Sequence, residues 1–102
     1  MNMNMLMQQA QKMQRELERK KKEIEEKLFS FESNGGAIKL DIYGSKRVEK
    51  ITIDEDMINP DDKDMLEDMI KIAINEGLSK IDEEMDEAIS SATGGMSIPG
   101  LM

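Results

Sequence analysis

The sequence predicts an α+β fold in which a long N-terminal helix, a three-stranded antiparallel sheet and a long C-terminal helix make one domain. Three observations predict it. Residues 3–28 contain neither Gly nor Pro and are mostly strong helix formers. Residues 29–53 hold three short runs in which apolar and polar side chains alternate, the period of a half-buried strand. Residues 60–93 return to the three-and-four spacing of an amphipathic helix. At 102 residues the chain fits a single domain, placed at residues 1–95, with a C-terminal tail at 96–102. A core of that size removes a modest share of the chain's surface from water, so partner subunits are plausible stabilisers.

The first helix would be about 40 Å long at 1.5 Å per residue. Its apolar residues follow a heptad: Met3, Ala10, Leu17 and Ile24 recur every seventh place, with Leu6 and Met13 three places after the first two. Such a narrow seam suits burial against one partner helix, whereas a helix lying on a sheet needs a wider stripe. These six residues are the expected dimer interface. In the second half Lys20 and Lys27 occupy the places that Leu6 and Met13 fill in the first, so that half is expected to project into solvent.

Phe29 and Phe31, then Ile38, Leu40 and Ile42, then Ile51 and Ile53 give each strand one apolar face. Asn34-Gly35-Gly36 supplies residues that tolerate positive φ for the first turn, and Gly44-Ser45-Lys46 marks the second. Asn59-Pro60-Asp61-Asp62 announces the second helix with a capping side chain, a proline tolerated in the first turn and carboxylates at the positive helix end. Leu66, Met69, Ile70, Ala73, Gly77, Leu78, Ile81, Met85, Ala88 and Ile89 then form a broad apolar face to cover the sheet, with Gly77 permitting close backbone approach. Gly94-Gly95 stops this helix, and the short Pro/Gly-containing tail is either disordered or docked.

Composition narrows the function. Without Cys or His, disulfides, thiolate metal sites and the commonest general base are excluded. No nucleophile–base pair or ligand cluster is visible, so neither an enzyme nor a cofactor, metal or small-molecule substrate is expected. The N-terminal residues lack the pattern of a signal peptide, and no apolar run approaches the roughly 20 residues of a membrane span. The expected location is cytoplasmic, with no membrane partner.

The net charge of −8 is unevenly divided. Residues 1–27 carry seven Lys/Arg against five Asp/Glu, residues 28–53 four against three, and residues 54–102 three against fourteen. Lys12, Arg15, Arg19 and Lys22 fall at helical spacing on one stripe opposite the heptad seam, widened by Lys20 and Lys21. Cations so placed can follow a phosphate backbone. The same stripe also reads as an ordinary solvated helix surface, because Glu16 and Lys20, Glu18 and Lys22, and Glu23 and Lys27 stand four residues apart as stabilising pairs. Lys39, Lys46, Arg47 and Lys50 form a second basic group on the hairpin turn and the polar strand face, where turn chemistry is an equal explanation. The acidic runs Asp54-Glu55-Asp56 and Asp82-Glu83-Glu84 with Asp86-Glu87 read as solvated faces, since the first lacks the glycine and terminal glutamate of a calcium loop. Met5, Met7, Met13, Met65, Met69 and Met85 sit at spacings more usual for core or interface than for a peptide groove. Zinc-finger spacing, a helix-turn-helix and an aromatic platform for single strands are all missing, which leaves recognition of a duplex backbone.

Four blocks in this order resemble the YbaB/EbfC family of bacterial nucleoid-associated proteins. They are Met7-Gln8-Gln9-Ala10-Gln11-Lys12-Met13-Gln14, Arg47-Val48-Glu49-Lys50-Ile51-Thr52-Ile53-Asp54, Asp62-Lys63-Asp64-Met65-Leu66-Glu67-Asp68-Met69-Ile70 and Ile98-Pro99-Gly100-Leu101-Met102. The resemblance covers roughly residues 5 to 102 and implies an intertwined, tweezer-like homodimer with projecting N-terminal helices. It implies binding of double-stranded DNA with little sequence preference, organisation of the nucleoid and no cofactor. Lys12, Arg15, Arg19, Lys20, Lys21 and Lys22, seconded by Lys39, Lys46, Arg47 and Lys50, are the expected phosphate contacts. The acidic balance keeps open a second reading, a dimeric interaction module whose projecting helices bind another protein.

Overall fold

The structure, a computed structural model, describes residues 2–92. Helix α1 (Met3–Glu26) leads into strand β1 (Leu28–Ser33), followed by β2 (Ile38–Tyr43), β3 (Val48–Ile53) and helix α2 (Lys63–Ala92). The predicted order of elements is the observed one. The strands pair antiparallel in the order β1-β2-β3, with β2 in the centre. The Gly94-Gly95 stop and the tail at 96–102 lie outside the described residues.

Each boundary has a local cause. The Asn2 side chain accepts a hydrogen bond from the Met5 amide at 2.8 Å and starts α1. The helix ends at Glu26, two residues before the expected limit, because Leu28 already pairs with Tyr43 in the sheet. Between β1 and β2 the backbone turns through positive φ at Asn34, Gly35 and Gly36, as expected of those residue types. Pro60–Asp62 forms a 3-10 turn capped by the Asn59 side chain, so α2 proper starts at Lys63 instead of residue 60.

The core sits between β2 and α2. Ile38, Leu40 and Ile42 point from the central strand to Ala73 and Ile81, all five buried, and Phe29, Phe31, Met69, Ile70, Ile74 and Leu78 pack around them. All ten residues of the predicted apolar face of α2 are buried or half-buried. A Cβ on Gly77 would lie 2.9 Å from Ile42 Cδ1 and 3.3 Å from Phe31 Cδ2, so the small residue does allow the helix to approach the sheet closely. At the far edge of this layer the buried Ser33 hydroxyl donates to Glu76 Oε2 at 3.0 Å and accepts from Asn34 Nδ2 at 3.3 Å. Asn34 Nδ2 also donates to the Met69 carbonyl. Ser33→Ala is therefore expected to cost about 1 kcal/mol in a urea melt, the net worth of such a bond; an unchanged midpoint would mean that the bond adds nothing.

Two expectations are corrected. The apolar face of α2 covers β1 and β2 but leaves β3 outside: Ile51, paired with Leu40, is 41% exposed, and Val48 is 43% exposed. The second concerns α1. It runs against α2, and the α1 residues that lose solvent are Leu17, Lys20 and Ile24. Residues 2–16 are all exposed, with Met3 at 75%. It is thus the first half of α1, and not the second, that stands in solvent. The chain itself supplies the partner helix for the second half, because a tight link at Lys27 fixes the end of α1 beside the sheet that α2 also covers. The radius of gyration, 19.2 Å, exceeds the roughly 13 Å of a compact domain of this length, as the projecting half-helix requires.

Candidate nucleic-acid interface

Lys12, Arg15, Arg19, Lys21 and Lys22 are all exposed on α1, and the first two lie on the half that stands clear of the rest of the chain. Long flexible cations on an unobstructed helix can each reach an anionic ligand while their aliphatic stems lie along the helix. Lys20 differs. It shares the half-buried side with Leu17 and Ile24, so its place is on the packed face and it does not widen the stripe as expected.

The ion pairing along α1 also differs from the sequence pattern. Among the described residues the pair formed is Arg19 with Glu23, Nη1 to Oε1 at 2.9 Å, in place of the three spaced pairs through Lys20, Lys22 and Lys27. Both side chains are more than half exposed, so the pair is worth little and a phosphate can replace the carboxylate. Arg19 is therefore held in position without being sequestered.

The hairpin cations separate into two environments. Lys39 lies 3.9 Å from Glu32 on the neighbouring strand. Lys50 stands opposite Asp41, which accepts a hydrogen bond from Ser30 at 2.8 Å. Alternation puts these residues on the sheet face away from α2. Arg47 stacks its guanidinium over the Tyr43 ring, 4.8 Å from the centroid, a contact that the spacing across the turn did not reveal. Lys46 instead reaches α2, with Nζ 2.7 Å from Asp82 Oδ1. The four cations are neighbours in the hairpin sequence, but the fold brings Lys39, Arg47 and Lys50 to one face and turns Lys46 to the other.

No group of His, Cys, Asp or Glu among the described residues is arranged to hold a metal ion. No helix there is long and apolar enough to cross a membrane.

A helix whose first half projects with exposed cations, set on a small α+β body whose outer sheet face carries Lys39, Arg47 and Lys50 beside Glu32 and Asp41, defines the class of the chain. The comparisons agree with that class. The sequence model of the YbaB/EbfC DNA-binding family matches residues 1–96, and the chain belongs to that family. It is 44% identical over 100 residues to a nucleoid-associated protein of Clostridium acetobutylicum, covering 98% of this chain and 89% of the relative. It is 46% identical over 101 residues to one from Acetivibrio thermocellus, with the same coverage. In fold it is similar to an uncharacterized protein of Helicobacter pylori, at a TM-score of 0.73 and 18% identity, covering 92% of this chain and 99% of that one.

Proposed function

We propose that this protein binds duplex DNA as a homodimer with little sequence specificity, organises the bacterial nucleoid and in doing so modulates gene expression. The observation that carries the reading is the open stripe of Lys12, Arg15, Arg19 and Lys22 on the projecting helix of a member of a DNA-binding family. The relatives' designation as nucleoid-associated proteins supports a nucleoid location within the cytoplasm. The mechanism is electrostatic: each cation that neutralises a phosphate releases counterions, and the gain is indifferent to base sequence. Lys21 extends the stripe, and Lys39, Arg47 and Lys50 add contacts from the sheet. The acidic second half of the chain, which DNA repels, orients the dimer with its basic side inward.

The homodimer is supported by apolar surface without a cover in the single chain. Met3, Leu6 and Met13 are exposed on α1, as are Val48 and Ile51 on β3, and a soluble chain seldom leaves such residues grouped in water. Met3, Leu6, Ala10 and Met13 remain the proposed seam of an intertwined, tweezer-like arrangement, while Leu17 and Ile24, expected in it as well, are half-buried where α1 runs against α2 of the same chain. Several dimers along one DNA would add affinity by proximity.

Fluorescence anisotropy with two unrelated duplexes of equal length, from about 50 to 200 mM salt, tests the reading, because phosphate-dominated binding weakens steeply over that range. Similar affinities with a steep salt slope are expected. Absence of binding to both duplexes at the lowest salt would reject DNA as the ligand. It would favour the second reading, a dimeric module whose projecting helices bind another protein, for which the exposed Met3, Met5 and Met7 are the specific observation.

A further inference from the structure

The end of α1 and the turn between β2 and β3 meet more closely than any side-chain packing allows. A Cβ on Gly44 would lie 1.8 Å from the Ile24 carbonyl oxygen, 2.5 Å from its carbonyl carbon and 3.0 Å from the Glu25 nitrogen. All three atoms are backbone, so no rotamer relieves the overlap. Gly77 is the contrast, since the atoms facing it are side-chain ends that can turn aside. At the same junction the Gly44 amide donates to the Lys27 carbonyl at 3.0 Å and the Ser45 amide to the Glu25 carbonyl at 3.2 Å. A helix leaves its last carbonyls without intrahelical donors, and here the turn supplies two N–H groups to the end of α1. The turn is in turn held from the other side, where Lys46 meets Asp82 of α2 at 2.7 Å.

We propose that this turn is a bracket that sets the direction in which α1 projects, with Gly44 as its positioning residue. The proposal rests on the DNA reading for its consequence: a cationic stripe tracks phosphates only if its helix leaves the body at a fixed angle. Along α1 itself the hold is looser: Leu17, Lys20 and Ile24 are half-buried where the helix runs against α2, and no residue of the helix is fully buried. The core between β2 and α2 involves none of the bracket's contacts, so disturbing the bracket should tilt the helix without unfolding the body.

The test is Gly44→Ala, which alters no charge. The chain has no cysteine, so cysteines introduced at the exposed Gln11 and Ser79 can carry spin labels, and dilution with unlabelled protein confines the reading to distances within one chain. The unmodified protein should give one narrow distance distribution. In Gly44→Ala the distribution should shift and broaden, and DNA affinity near 50 mM salt should fall about a hundredfold with a salt slope shallower by about two, the loss of one phosphate contact from each subunit of the dimer. A folded variant with unchanged distances overturns the proposal, and so does a displaced helix with undiminished affinity. Failure of the unmodified protein to bind any duplex would reject the DNA reading instead, and the distance comparison would still decide whether the bracket exists. If Gly44→Ala does not fold, hydrogen exchange of the unmodified protein decides. Gly44 and Ser45 amides protected like those of β2 support the bracket, and exchange as fast as an open turn refutes it.

Discussion

Replacing Arg15, Arg19 and Lys22 together with Gln is expected to lower DNA affinity near 50 mM salt by about a thousandfold for each subunit of the dimer that engages DNA, since each phosphate neutralised there contributes about one order of magnitude. The three side chains are exposed on α1, so the substitution leaves no cavity and no buried group without a partner. It also breaks the Arg19–Glu23 pair, but an exposed pair contributes at most about 1 kcal/mol to stability. The folded body should therefore survive while binding fails. Anisotropy titrations across a salt series measure both signatures: the affinity, and a slope of log K against log salt reduced by about five when both subunits of the dimer engage DNA. The loss should be uniform across DNA sequences, because phosphate contacts carry no base information. Unchanged affinity would remove Arg15, Arg19 and Lys22 from the interface and leave Lys12 and Lys21 on α1 and Lys39, Arg47 and Lys50 on the sheet as the remaining cations.

Ile42→Ala should destabilise the fold by about 3 kcal/mol, within the range for a fully buried aliphatic side chain cut to a methyl group. Ile42 is fully buried on the central strand, and its Cδ1 fills the space left by Gly77 on α2. The cavity would open where helix and sheet are closest, and the backbones are already too near to collapse much further. A loss of that size is a large part of the 5–15 kcal/mol that typically holds a domain together. Urea melts measure it, with Ile42→Val as the graded control at about 1 kcal/mol. If the two substitutions cost the same small amount, Ile42 is not at the centre of the core.

Several features of this chain were legible from neighbouring residues alone. The period-two alternation of Ile38, Leu40 and Ile42 and the helical spacing of Ala73, Gly77 and Ile81 identify the buried faces, because burial on a regular element repeats with the period of that element. Asn34-Gly35-Gly36 identifies a turn with positive φ because few other residues tolerate that backbone. The cations of α1 were also visible, since spacing on a helix fixes which side chains share a stripe.

What local pattern could not supply was the pairing of surfaces. Ile51 and Ile53 alternate as well as Leu40 does, but α2 is one helix wide and covers two of the three strands, so Ile51 remains 41% exposed. The heptad along α1 states that a seam exists and is silent on where the partner helix ends. Which half is packed follows from the junction at Lys27 and from α2 running alongside. Lys46 and Lys50 are close in sequence and both basic, yet one faces Asp82 and the other the outer sheet face, because Lys46 sits in the turn between β2 and β3, at positive φ, while Lys50 is held in β3 by its pairing with Asp41. Gly44 carries the least signal of all, a turn residue among turn residues, yet the carbonyl of Ile24, 20 positions earlier in the chain, stands in the space that its Cβ would need. The elements and their apolar faces follow from residues one or two turns apart. Which faces are covered, where Lys20 and Lys46 point and how α1 is held depend instead on contacts between segments that share no local pattern.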